Sequence, residues 1–188
     1  MTPTFMGSEP PRATTGRFAG ISVLEDEQEL GLSFMNSLDK SMQAKATVDG
    51  TKASNNNRGE LFQDNAVVPY QGLNLSELTP AQSTKALELI RLYIDHIRPG
   101  HAEVKLAEIV RHWNDTWFSW VGETGPDSVF YYRFHSPVVM IEFDHQMPVA
   151  LDGPDLPTRD HVHTVVRTPN GNDYGRDLLR QHLETHRH

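Results

Sequence analysis

The stretch VFYYRFHSPVVMIEFDH, residues Val129–His145, decides the fold. Aromatic and β-branched residues dominate it, as suits a pleated, half-buried surface. Ser136-Pro137 breaks the run once, which predicts two antiparallel strands, Val129 to His135 and Val138 to His145, joined by a tight turn. Side chains alternate between the faces of a strand. Phe130, Tyr132 and Phe134 therefore share a face with Val139, Ile141 and Phe143, and that aromatic side is the expected core. Tyr131, Arg133 and His135 take the other side. A two-residue turn pairs 135 with 138, 133 with 140 and 131 with 142, and so sets Glu142 and Asp144 beside Tyr131 and Arg133.

Working outward, Thr116 to Gly122 reads as the preceding strand. His161 to Arg167 reads as a fourth, after the loop Gly153 to Pro157. On that fourth strand His161, His163 and Arg167 share one face, and Val162, Thr164 and Val166 the other. One polar face carrying Tyr131, Arg133, Glu142, Asp144, His161, His163 and Arg167 follows. Further upstream the periodicity becomes helical. Thr79-Pro80 is a helix start, with a capping hydroxyl and proline in the first turn, and the helix runs from Pro80 to about Ile97, before Pro99-Gly100. A second helix begins near His101, completing a helical hairpin. Leu24, Leu30, Phe34, Met35 and Leu38 predict a helix from about Glu25 to Leu38, with Glu25, Asp26 and Glu27 where the helix dipole favours acids. Met1 to Glu9 reads as extended. Ser41 to Glu60 is polar, with a short strand at Ala46 to Val48, and is expected to be a surface excursion. Arg176 to His186 forms a closing helix. Strands and helices segregate along the chain, so the expected class is α+β: an antiparallel β-meander of four to five strands with a helical hairpin and a C-terminal helix packed on one face.

The chain has 188 residues, 17 basic and 25 acidic, for a net charge of −8, and ten histidines that make this charge sensitive to pH. The length and a 37% hydrophobic content suit a single domain over 1–188. Scattered basic residues argue against nucleic acid or an anionic membrane as partner, since counterion release needs them clustered. A small molecule is the expected partner. The absence of cysteine excludes a disulfide framework, a thiolate zinc site and a thiol nucleophile. No apolar run approaches the roughly 18 residues of a membrane span.

Two histidines at i and i+2 on a strand can offer their nitrogens to one metal, and Glu142 on a neighbouring strand would complete a two-histidine, one-carboxylate set, with Asp144 as a further donor. The competing reading is a solvated, hydrogen-bonded polar face. Arg133 beside Glu142 is either a cross-strand ion pair or, in a pocket, a holder of substrate carboxylate. Arg167 is the second candidate for an anionic substrate, and Asp173 or Tyr131 for acid/base work. His135 lies at a turn and His145 points to the core side, so both are weaker candidates. His96, His101 and His112 lie near helix ends, and His182, His186 and His188 read as a surface cluster. Trp113, Trp117 and Trp120 read as core or pocket wall. Asn170 to Gly175 lacks the alternating acids of a calcium loop and reads as a turn that places Asp173 and Tyr174 near the sheet.

Several of these segments also carry a resemblance. Leu78-Thr79-Pro80-Ala81-Gln82, Trp120-Val121-Gly122, Tyr131-Tyr132-Arg133, Ile141-Glu142-Phe143-Asp144, His161 to Arg167 and Asn172-Asp173-Tyr174-Gly175 together resemble the family registered as domain of unknown function 3500. The resemblance implies recurrent positions at Arg133, Glu142, His161, His163, Arg167, Asp173 and His182, but no reaction. It also implies that the chain is the C-terminal portion of a longer family domain. The function expected is that of a metal-dependent enzyme, hydrolase or oxidoreductase, using a divalent cation on a small soluble anionic substrate. The alternative is a non-catalytic binding or scaffold domain.

Overall fold

The computed structural model describes residues 2–58, 67–153, 155–169 and 171–186. Met1, Gly59, Glu60, Pro154, Asn170 and His188, on which the sequence reading touched, lie outside the described residues. The helices are α1 (Glu25–Ser37), α2 (Lys40–Ala46), α3 (Pro80–Ile94), α4 (Pro99–Arg111) and α5 (Arg176–Thr185). The strands are β1 (Thr4–Ser8), β2 (Thr47–Asp49), β3 (Leu73–Asn74), β4 (Trp117–Gly122), β5 (Phe130–His135), β6 (Met140–His145) and β7 (Val162–Arg167).

All seven strands join one sheet in the order β1-β7-β6-β5-β4-β2, with β3 also paired to β4. The five from β1 to β4 along that order are antiparallel neighbours, which is the α+β meander expected from the sequence. It is larger than expected because β2 and β3 divide the open edge of β4 between them, β2 running parallel to it. Gly72 permits this close approach: its φ is +96°, and a Cβ there would lie 2.0 Å from the Phe118 carbonyl oxygen.

The β5–β6 turn corrects the expected pairing. Ser136 N–H donates to the Val139 carbonyl (2.8 Å), and its hydroxyl accepts the Val139 N–H (3.0 Å). Val138 and Val139 are thereby held out of the ladder, and His135 pairs with Met140, Arg133 with Glu142 and Tyr131 with Asp144. The shift is two residues. An even shift keeps every side chain on its face, so the division into an aromatic and a polar side stands.

The aromatic side is the core. Phe118, Trp120, Phe130, Tyr132, Phe134, Ile141 and Phe143 are fully buried there with Phe34 and Met35 of α1 and Leu89 and Ile90 of α3. Phe34 meets Phe118 edge-on at 4.8 Å between ring centres. The Tyr132 hydroxyl donates to the Glu27 carbonyl (2.9 Å) and lies 2.5 Å from the Tyr93 hydroxyl, tying α1 and α3 to the middle strand. Trp120 is core, while Trp113 only packs against its margin.

α3 opens with the expected Thr79 cap and Pro80, and the Gln82 side chain completes a capping box. It ends at Ile94, three residues before the expected limit, with Asp95 as its C-cap, and Pro99 opens α4. The C-terminal helix α5 is present, with Leu178, Leu179 and Leu183 exposed. It flanks a groove of about 670 Å³ whose walls include Met6, Ile94, Ile97, Val138 and Leu178. Among the described residues no helix is long and apolar enough to cross a membrane.

Candidate functional site

On the polar side, the antiparallel register lines up residues from successive strands. Tyr131, Asp144, His163 and Gly7 form one row across β5, β6, β7 and β1, and Arg133, Glu142, Val165 and Phe5 form the next. Toward β1 the side reaches water, at Phe5 and Gly7, but its middle is closed. Arg133 is 3% exposed, and Glu142 and Asp144 are fully enclosed. The cover comes from the polar segment expected to be a surface excursion, and that expectation is corrected for Lys52 and Asn57, which are buried. Its backbone amides need acceptors, and the sheet's carboxylates supply them. Asp144 Oδ2 accepts the N–H of Asn56 (2.6 Å) and Asn57 (3.0 Å) and the Gln146 amide (2.5 Å), while Glu142 Oε1 accepts the Arg58 N–H (2.8 Å).

Lys52 Nζ lies 2.9 Å from Asp144 Oδ1, with both side chains at most 1% exposed. Burial raises the Asp144 carboxyl to about 6 against the opposing pull of the Lys52 charge and the Asn56 and Asn57 amides, and burial likewise lowers Lys52. The Tyr131 hydroxyl donates to Glu142 Oε1 (2.6 Å). Burial first, and then the Glu142 charge, push this phenol well above its ordinary value, so it remains a donor. Arg133 and Glu142 stand opposite one another yet do not form the expected ion pair. The guanidinium turns to the Pro69 carbonyl and Gln71 Oε1, both at 3.3 Å from Nη2.

The two histidines of β7 do come together. His161 Nε2 and His163 Nε2 are 3.0 Å apart, with the rings perpendicular. His161 Nδ1 is 2.7 Å from the Met147 carbonyl oxygen and 3.6 Å from Glu9 Oε2. A carbonyl only accepts, so in the neutral ring Nδ1 carries the proton and Nε2 presents its lone pair to His163. Burial, then the neighbouring His161, lower His163 to about 4. Glu9, which the sequence reading passed over, also accepts the N–H groups of Val149, Ala150 and Leu151 at 2.9–3.2 Å. It thereby fixes the loop that carries the Met147 carbonyl.

Glu142 does not join the histidine pair. Among the described residues no three His, Asp or Glu side chains converge in a way that could hold a metal. The reason is competition: the backbone amides of 56–58, Lys52 and Tyr131 have taken the carboxylates that the spacing offered as ligands. Arg167 and Asp173 form a buried pair of their own, Nε to Oδ2 at 2.8 Å, with the Thr168 N–H on Oδ1 (2.8 Å), and so brace the turn after β7. His182 stands on exposed α5, stacked on His186. His145 faces the core as expected: its Nδ1 accepts the Phe130 N–H (2.8 Å), Nε2 meets Gln28 Oε1 (2.8 Å), and burial lowers it to about 3. His135 is buried beneath Tyr70, with ring centres 4.5 Å apart, and is lowered to about 4 by burial and by the Arg133 charge.

Among known proteins, a family model described as a protein of unknown function (DUF3500) matches residues 1–176. No curated protein and no solved structure matches the chain.

Proposed function

The chain belongs to the DUF3500 family of proteins of unknown function, and from that premise we propose that it is a metal-dependent enzyme, hydrolytic or oxidative, acting on a small soluble anionic substrate. The observation that carries this reading is the 3.0 Å separation of the two Nε2 atoms. Two metal–nitrogen bonds of about 2.1 Å meeting near a right angle span about that distance. His161 already has the partners a metal-bound histidine requires on its far nitrogen, an accepting carbonyl and a nearby carboxylate, which fix the tautomer and the ring plane. His163 would turn its Nδ1 into the protonated nitrogen and give its Nε2 lone pair to the same cation. With two protein ligands, the remaining positions are open to water and substrate, and the bound cation would supply either an activated water or a redox centre.

The other site residues fall into different roles in this reading. Glu142 is a staple for the cover rather than the third ligand, and Asp144 is the counter-charge of Lys52. We assign neither Tyr131 nor Asp173 to proton transfer, because Tyr131 gives its proton to Glu142 and Asp173 is engaged by Arg167. The saturation of Glu142 and Asp144 favours the second reading, a binding domain whose polar layer is purely architectural. Metal content separates the two. Wild-type protein dialysed against Zn²⁺, Co²⁺ or Mn²⁺ and assayed by plasma mass spectrometry should retain about one ion per chain. His163→Ala should retain none while unfolding at nearly the same denaturant concentration. A wild type that retains no ion leaves only the binding-domain reading.

A further inference from the structure

A guanidinium does not give up its proton inside a protein, and a buried one without a counter-charge is strongly unfavourable. Arg133 comes close to that condition, because the carboxylate opposite it, Glu142, is engaged by the Tyr131 hydroxyl and the Arg58 N–H instead. It is 3% exposed, and among the described residues it makes no ion pair. Among the described residues its hydrogen bonds are the two long ones from Nη2 to Pro69 and Gln71, and its Nε has no partner there. Arg12 of the same chain shows what that edge of a guanidinium does when satisfied: Nε and Nη2 together grip the two oxygens of Glu25 at 2.8 and 2.6 Å. Two more buried side chains on this side of the sheet carry unsatisfied atoms, although the His135 ring also has the Pro69 carbonyl as a partner. His135, two residues along the same strand face and 2% exposed, has no partner on Nδ1, and Asn57, 6% exposed, has none on either atom of its side-chain amide. Asn57 adjoins Arg58, whose N–H rests on Glu142, directly across the ladder from Arg133.

We propose that Arg133, with His135 and Asn57, forms a binding site for a small carboxylate beneath the cover formed by residues 55–58 and 69–71. The Nε/Nη2 edge would take the two carboxylate oxygens side by side, a geometry that a planar carboxylate meets and a point anion does not. The Asn57 amide and His135 Nδ1 would hold the rest of the molecule. Those two contacts restrict the ligand to a few heavy atoms and favour one with a hydroxyl or second polar group. The site deepens the proposed function by naming the substrate's chemical class, but it does not depend on the histidine pair, and the test keeps the two apart.

Acetate, inorganic phosphate and chloride are titrated at constant ionic strength into chelator-treated wild type, His163→Ala, Arg133→Met and Arg133→Lys. The readouts are the thermal midpoint and the Arg Nε–H signals by NMR. Acetate should raise the midpoint of wild type and His163→Ala saturably and move one Nε–H signal downfield. Arg133→Met, which removes an unpaired charge, should fold and give no acetate response. Arg133→Lys, which keeps the charge but loses the fork, should respond at least tenfold more weakly. An equal response to chloride, a preference for phosphate, or an acetate response that survives in Arg133→Met would overturn the assignment. So would an acetate effect that appears only when metal is present.

Discussion

Asp144 is enclosed on every side and is the counter-charge of Lys52, so truncating it leaves a cation buried without compensation. Asp144→Ala should lower the unfolding free energy by about 3–5 kcal/mol, read from urea denaturation. Asp144→Asn, which still offers an acceptor to the Asn56 and Asn57 amides, should lose less. Glu9 acts at the same scale, through the loop it grips. Glu9→Gln should speed hydrogen exchange at Val149, Ala150 and Leu151 and weaken metal retention at His161 and His163 by about tenfold; an unchanged metal affinity would confine Glu9 to an architectural role. The sequence marked Glu142, Asp144, His161 and His163 because strand alternation places them without knowledge of anything distant. Glu9 and Lys52 could not be marked in that way. Glu9 reaches His161 because β1 pairs with β7 across more than 150 residues, and Lys52 reaches Asp144 because the cover folds back over the sheet.

At the scale of elements, α1 meets the sheet at its closest where Gly31 crosses Tyr132: a Cβ at position 31 would lie 2.3 Å from the Tyr132 ring. Gly31→Ala, which should strengthen an isolated helix, is therefore expected to destabilise the protein by about 1–3 kcal/mol in urea, because the ring and its two hydroxyl contacts must shift. Tyr132→Phe removes the bonds to Glu27 and Tyr93 without changing the packing and should lose about 1–2 kcal/mol. The β5–β6 hairpin shows why strand faces are legible even where a turn is not. Its turn is two residues longer than the Ser136-Pro137 spacing predicts, yet the period of two returns every side chain to its expected face. β2 falls within one residue of the short strand expected at Ala46 to Val48, whereas β3, two residues long, owes its strand geometry to the open edge of β4 rather than to a pattern of its own.

For the whole molecule, buried titratable groups set the response to acid. Burial lowers His135 and His163 to about 4 and His145 to about 3 in the folded, metal-free chain, whereas the unfolded chain protonates them near 6.5. Their contribution is fully present above 6.5 and is lost as the pH falls toward 4, because the unfolded state then binds more protons. Asp144 works in the opposite direction. Its carboxyl is raised to about 6, so its burden on the fold is relieved as the pH drops below that value. Three histidines outweigh one carboxyl, and with His163 discounted for its partial exposure, stability should fall by about 1–2 kcal/mol per pH unit between 6 and 4.5. Urea midpoints across that range check this, and a flat profile would mean that the histidines are not held neutral. Bound metal should flatten the part contributed by His163.

What the sequence determined by itself was periodic: which segments are strands or helices, which face of each strand is aromatic, and which histidines and carboxylates share the polar face. Such patterns are local, because backbone geometry repeats every two or 3.6 residues and needs no partner to be read. Competition between partners, by contrast, emerges only once distant segments meet. Whether a carboxylate becomes a ligand, a staple or a counter-charge depends on which donors reach it, and besides Tyr131 and Gln146 the donors to Glu142 and Asp144 come from residues 52–58, more than eighty positions away. Among the described residues the histidine pair and Arg133 carry no such claims on Nε2 and Nε, which is why the proposed metal and carboxylate sites fall there.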